Sequence, residues 1–135
     1  MTNNMYFKRS WAAIMKRAGD KADLVVKKAA MDIAAQLVNR SPVDTGRFRA
    51  NWRVGMGAPN TATSTATDRA GSSTIGAMTQ AINNYTTGQT IWLTNSLPYA
   101  QRLENGWSKQ APRGMVRLTI LNWRRAVNNA ARNLK

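Results

Sequence analysis

The apolar period of this chain changes across one short run, Ser41-Pro42-Val43-Asp44-Thr45-Gly46, and that change constrains the architecture more than any other feature. Before it, Leu24, Val26, Ala30, Met31, Ile33, Ala34, Leu37 and Val38 share one side of a helical wheel, with Lys28, Asp32, Gln36 and Asn39 opposite. That is the pattern of an amphipathic core helix. Asp20 is a good N-cap for it, and Asp23 adds negative charge to the first turn. The helix should stop near Arg40, because Pro42 disfavours the α conformation at Ser41. After the run, Phe48, Ala50, Trp52, Val54 and Met56 alternate with Arg47, Arg49, Asn51 and Arg53. Period two over residues 47–56 predicts a strand with one buried face. The run is therefore a helix-to-strand corner. Pro42 fixes φ, Asp44 can bond forward to backbone N–H groups, and Gly46 tolerates φ > 0.

The remaining segments complete an α+β arrangement. A short helix fits residues 9–18, with Ser10 as cap and Gly19 as break. Residues 57–73, GAPNTATSTATDRAGSS, hold almost nothing that can be buried, and read as a flexible arm ordered only against a partner. Ser72 or Ser73 can cap a helix over residues 74–84, with Ile75, Met78 and Ile82 on one side. QTIWLTN, residues 89–95, reads as a second strand. One or two helical turns follow in residues 97–106, closed by Gly106, and Pro112 suits the start of a last helix over about residues 113–134. Met115, Val116, Ile120, Trp123, Ala126, Val127, Ala130 and Leu134 form its apolar face. Its other face carries Arg117, Arg124, Arg125 and Arg132 together with Leu118 and Leu121. Leucines on a basic face indicate a surface covered by a neighbouring subunit or by DNA. Two strands are too few for an isolated sheet, so a third or fourth must come from Met5-Tyr6-Phe7, from the loop or from a neighbouring subunit. The expectation is one domain over residues 1–135. Its long N-terminal and C-terminal helices pack on a small antiparallel sheet, with a long flexible loop between the strands.

Composition narrows the chemistry. The 135 residues include no cysteine and no histidine, and 20 basic residues stand against six acidic ones. Disulfides and thiol chemistry are excluded, and a metal site is disfavoured. Glu104 is the single glutamate. A structural carboxylate paired with Arg47, Arg49 or Arg117 suits it better than a catalytic acid, and Asp44 suits a turn better than a base. No phosphate-cradling glycine motif is present, so neither an enzyme nor a cofactor is expected. The net charge of +14 favours acidic partners, either nucleic acid or protein. Arg47, Arg49 and Arg53 on one strand face suggest a β-ribbon DNA binder, and the basic last helix is the better electrostatic candidate. No apolar run is long enough to span a membrane, and the N-terminus does not read as a secretory signal. The expectation is a chain made in, or assembled from, a cytoplasm.

The helix ending in SPVDTGRFRANW, the variable segment, and then IWLTNSLPYAQRLENGWSKQAPRGMVR resemble the neck or tail-completion proteins of tailed bacteriophages, the minor-tail-protein-Z-like components of lambdoid siphophages. Pro42, Asp44, Thr45, Gly46, Arg47, Asn51 and Trp52 match the first family motif, and Asn95, Pro98, Tyr99, Ala100, Glu104 and Gly106 match the second. Phe48 stands where that family usually has an aliphatic residue. The resemblance spans roughly residues 20–130. It implies a virion protein without enzymatic activity or cofactor, forming a homo-oligomeric ring, a hexamer or dodecamer by analogy. That ring would join the head-completion protein to the tail terminator and tail tube, with possible contact to the genome end and none to a membrane. A small basic DNA-binding protein is the alternative.

Overall fold

The computed structural model of the chain describes residues 21–132, together with Ala13. The expected helix at residues 9–18 with its cap Ser10, the break at Gly19, the cap Asp20, the strand at Met5-Tyr6-Phe7 and Leu134 lie outside the described residues. The elements run α1 (Ala22–Arg40), α2 (Arg47–Ala50), β1 (Trp52–Met56), α3 (Ser72–Asn83), β2 (Ile91–Asn95), α4 (Ala100–Glu104), α5 (Val116–Leu121) and α6 (Trp123–Arg132). Helices packed on one small antiparallel sheet make this an α+β fold, as the sequence predicts.

α1 is the spine, and it stops at Arg40 as expected. Its C-terminal half sends Ala34, Leu37 and Val38 into a core shared with Phe48, Trp52, Met78, Ile82, Leu97, Ala111 and Met115. Its N-terminal half packs Val25 and Ala29 against Val127 and Ala130 of α6. Here the wheel needs correcting. Leu24 is 47% exposed, while Val25 and Ala29 are buried, because α6 meets this end of α1 on a face rotated from the one facing the sheet.

The strand expected over residues 47–56 is half helix. Arg47–Ala50 form one helical turn, closed by Ala50 N–H donating to the Gly46 carbonyl at 3.1 Å, and the strand begins at Trp52. Phe48 and Trp52 are four residues apart, a spacing that satisfies a helical period as well as a period of two. Their rings meet edge to face with centroids 6.1 Å apart, and Phe48 also touches Tyr99 at 5.9 Å. Such aromatic pairs add specific geometry to the area they bury.

β1 and β2 pair antiparallel, Trp52 opposite Asn95 and Val54 opposite Leu93. Among the described residues the sheet has these two strands alone, so the expected third and fourth strands are not supplied by the loop. The loop instead crosses the outer face of the sheet. A Cβ built on Gly55 would meet the backbone of Ala58 and Asn60, and the Thr94 hydroxyl donates to the Asn60 carbonyl. The core beneath and the loop above cover the two faces of this sheet, and the outer edge of β2 stays open among the described residues.

That loop also corrects the reading of a free arm. Ser64 N–H donates to Asn51 Oδ1 at 2.8 Å, and the Ser64 carbonyl accepts from Asn51 Nδ2 at 3.1 Å and Arg47 Nε at 3.1 Å. Asp68 N–H donates to the Gly46 carbonyl at 3.0 Å. Polar side chains of the corner thus supply the anchoring that the loop's own small residues lack. The last helix is likewise two helices, α5 and α6, parted at Asn122. Pro112 precedes α5 by four positions, and the helix starts only at Val116. Val116 and Ile120, expected on the core face, are exposed, while Thr119 is buried and returns its hydroxyl to the Met115 carbonyl at 2.8 Å.

Candidate functional site

The corner between α1 and β1 holds the densest group of polar side chains, and they are directed at backbone. Ser41 is its centre, 3% exposed. Its hydroxyl donates to the Leu37 carbonyl at 2.6 Å and accepts the Trp52 indole N–H at 2.8 Å, and its carbonyl accepts from Arg49 Nε at 3.2 Å. Val43 forms a two-bond clamp with one side-chain amide. Its N–H donates to Gln110 Oε1 at 2.8 Å and its carbonyl accepts from Gln110 Nε2 at 2.9 Å. Pro42 is buried, whereas Asp44 and Thr45 are exposed. The forward bond foreseen for Asp44 is made by Thr45, whose hydroxyl accepts Arg47 N–H at 3.2 Å. Gly46 has φ 93°, and a Cβ there would lie 2.6 Å from Arg69 N. Glycine is therefore required on two counts, conformation and space.

The three arginines considered for DNA turn inward. Arg47 bonds Ser64; Arg49 bonds the carbonyls of Asn39, Ser41, Arg69 and Ala70; Arg53 bonds those of Ala50 and Trp52. A guanidinium is a rigid fork of five donors, suited to gathering several carbonyls at a chain crossing. These side chains tie the loop and the end of α1 to the corner, which leaves little of them to meet phosphate.

Glu104 acts at the start of α5. Its carboxylate accepts the N–H groups of Met115 and Val116, each at 2.8 Å, and of Arg117 at 3.0 Å. These are N–H groups without partners inside the helix, so Glu104 caps α5 from a distant position in sequence. Burial works against its charge, but the three N–H groups, aided by the Arg117 charge, outweigh it and hold the carboxyl below its ordinary value of 4.5. Among the candidate partners, Arg47 and Arg49 are engaged elsewhere, and the Arg117 bond to Glu104 comes from its backbone. Gly114 makes the cap possible, since a Cβ there would collide with the Glu104 carbonyl and carboxylate.

Asp68 repeats the device at α3, accepting from Gly71 N–H at 3.0 Å, Thr74 N–H at 2.8 Å and the Thr74 hydroxyl at 2.8 Å. The Thr74 backbone bond is the main cause of its pKa lying below the ordinary 3.8. Ser72 and Ser73, the caps foreseen from sequence, make no side-chain cap bond.

Two open clefts flank the sheet. One, of about 460 Å³, lies between β1, the loop and α3, with Arg53 and Asp68 as its charged lining. The other, of about 800 Å³, is an apolar groove between α1 and β2 whose single charged lining residue, Asp23, accepts from Thr87. Ile91 and Leu93 line this groove on the edge of β2 that is not paired with β1. Among the described residues no group of histidine, cysteine or carboxylate side chains is arranged to hold a metal, and no helix is long and apolar enough to cross a membrane.

The surface of residues 102–132 carries apolar and basic side chains. Trp107 is 75% exposed with the Arg102 guanidinium over its ring at 5.7 Å, and Ile120 and Leu121 are 58% and 74% exposed. Leu118 is half-buried, beside Arg40, Arg49 and Arg113, while Arg117, Arg124, Arg125 and Arg132 reach the surface. Sequence reasoning missed Ser41, Asp68 and Gln110 as structural centres. For Ser41 a signal existed, since a hydroxyl directly after a helix can return to that helix.

A domain whose polar groups brace its own chain, while apolar and basic side chains face outward, is of the structural, interaction-forming class. The chain belongs to the family described as "Bacteriophage HK97-gp10, putative tail-component", which matches residues 7–106. Nothing among curated proteins or solved structures matches it. It is a phage tail component with a structural, tail-related role. The family match covers the corner, the sheet and the Glu104 segment, and stops before α5.

Proposed function

We propose that the chain is a neck or tail-completion protein, forming a ring that joins the head-completion protein to the tail. The observation that carries this reading is the unfinished sheet. Among the described residues the outer edge of β2 has no hydrogen-bond partner at Ile91 or Leu93, and it opens on the apolar groove beside α1. An unpaired edge beside an apolar groove is a surface suited to a neighbouring copy. Head-to-tail ring contacts pair two different surfaces of the chain, and the groove with its open strand edge supplies one of them. A hexamer or dodecamer is the ring size taken by analogy. The role is one of structure and assembly, with no catalysis.

The DNA-binding alternative loses its strand-face arginines, which bind the chain's own carbonyls. What remains for the genome end is the basic C-terminal surface. A peptide-mass inventory of purified particles, with antibody labelling in electron micrographs, tests the reading. The expected result is label confined to the head-tail junction. Label along the tail tube, or absence from particles, would overturn it.

A further inference from the structure

α5 exposes Val116 at 37%, Ile120 at 58% and Leu121 at 74%. Positions 116 and 120 are one turn apart, as are 117 and 121, so an apolar row of Val116 and Ile120 runs beside a row that pairs Arg117 with Leu121. Arg113 and Arg125, just before and after the helix, are exposed as well. Glu104 fixes the first turn of α5, and the buried Thr119 fixes its inner side, so this outer face is held in place.

We propose that this face of α5 docks a different protein, through a surface that sets carboxylates around an apolar centre. Three properties select that occupant. The apolar side chains argue against DNA, because phosphate contact gains nothing from Val116, Ile120 and Leu121, whereas a protein surface can bury them. Arg117, exposed within the face itself, calls for negative charge opposite.

A second copy does not supply it. The chain has six carboxylates: Asp20, Asp23, Asp32, Asp44, Asp68 and Glu104. Of the five described, Asp68 and Glu104 cap helices, and Asp23 and Asp32 stand nine positions apart on α1, on opposite sides of that helix. Asp44 is exposed at the corner, so the carboxylates are dispersed and form no acidic patch. The complement therefore lies on another chain. This inference rests on the proposed function only in treating the protein as part of an assembly; the partner's position in the particle is not assumed.

The experiment places the photoreactive p-benzoylphenylalanine at Ile120, and separately at Leu121, in protein made during infection, and identifies the adducts by mass spectrometry. The expected adduct joins a second phage protein at a peptide containing Asp or Glu. Arg117→Gln should lower its yield roughly tenfold, as loss of an interfacial charge pair does. Circular dichroism of that variant should match the parent and its melting should fall only slightly, because the Glu104 cap uses the Arg117 backbone and the lost charge is solvent-exposed. An adduct with the chain itself, with DNA, or with nothing at both positions would overturn the inference. So would an adduct yield indifferent to Arg117→Gln. These results are separable from the particle-labelling test: a protein found at the neck that cross-links only to itself sinks the inference and spares the proposed function.

Discussion

The Trp52 indole N–H donates to the Ser41 hydroxyl at 2.8 Å, with both residues at least nineteen-twentieths buried, and this bond joins the end of α1 to the start of β1. The hydroxyl in turn donates to the Leu37 carbonyl. Ser41→Ala removes the acceptor and leaves a buried indole N–H without a partner, at a cost of about 1–3 kcal/mol. Denaturant unfolding of Ser41→Ala against the parent measures this. A change within error would show that water or a shifted side chain satisfies Trp52.

Gly46 and Gly57 make a matched pair, because both have positive φ but only one lacks room. Gly46 has φ 93°, and the backbone of Asp68 and Arg69 lies within 3 Å of where a Cβ would sit, while Gly57 has φ 77° and open space around it. Gly57→Ala should cost only the conformational penalty, about 1–2 kcal/mol. Gly46→Ala adds backbone overlap and should exceed about 3 kcal/mol, with Gly46→Val worse still. Thermal melts of the three variants would rank them. Equal losses at Gly46 and Gly57 would mean that the loop can move off the corner.

The elements best legible in the sequence were those with a strong local cause. α1 stops at Arg40 because Pro42 follows, and Gly106 closes α4 with φ 88°. What local pattern hid was tertiary. The alternation at residues 47–51 could not reveal a helical turn, because Phe48 and Trp52 fit both periods and the deciding bond runs from Ala50 to Gly46. The loop looked unanchored because its anchors, Asn51 and Arg47, lie outside it. Glu104 was legible as a structural carboxylate, but its partners are N–H groups on a segment eleven to thirteen residues later, and composition pointed to arginine instead.

Glu104 and Asp68 give the fold an acid-sensitive pair of helix starts. Both folded-state pKa values lie below the ordinary 4.5 and 3.8, so deprotonation favours the folded state. The contribution is full above those ordinary values and is lost as pH falls through the lowered folded-state values. Stability should therefore drop on acidification from about pH 5 downward. Glu104→Gln should cost about 1 kcal/mol at neutral pH, given partial solvent screening, and should flatten the acid limb of a stability-pH curve. An unchanged acid limb would place the sensitivity in other carboxylates.

Asn51 is fully buried, and three of its bonds hold two chain segments together. Its Nδ2 donates to the Arg47 carbonyl at 2.7 Å and the Ser64 carbonyl at 3.1 Å, while Oδ1 accepts Ser64 N–H at 2.8 Å. No apolar side chain of residues 57–70 belongs to either core cluster, so polar bonds carry the loop. Ordering its backbone costs about 1–2 kcal/mol per residue, and removing Asn51 withdraws two of the bonds that offset this near its middle. In the isolated parent, amide exchange at Ser64 and Asp68 should be slowed, since both N–H groups are bonded to the corner. Asn51→Ala should speed exchange at Ser64 by roughly tenfold or more, while the amides of α1 keep their protection. Asp68 should respond less, because Gly46 still accepts its N–H and its carboxylate still caps α3. If Ser64 exchanges as fast in the parent as in an unstructured peptide, the loop is not held by its own domain, and the arm that orders only against a partner is the better description.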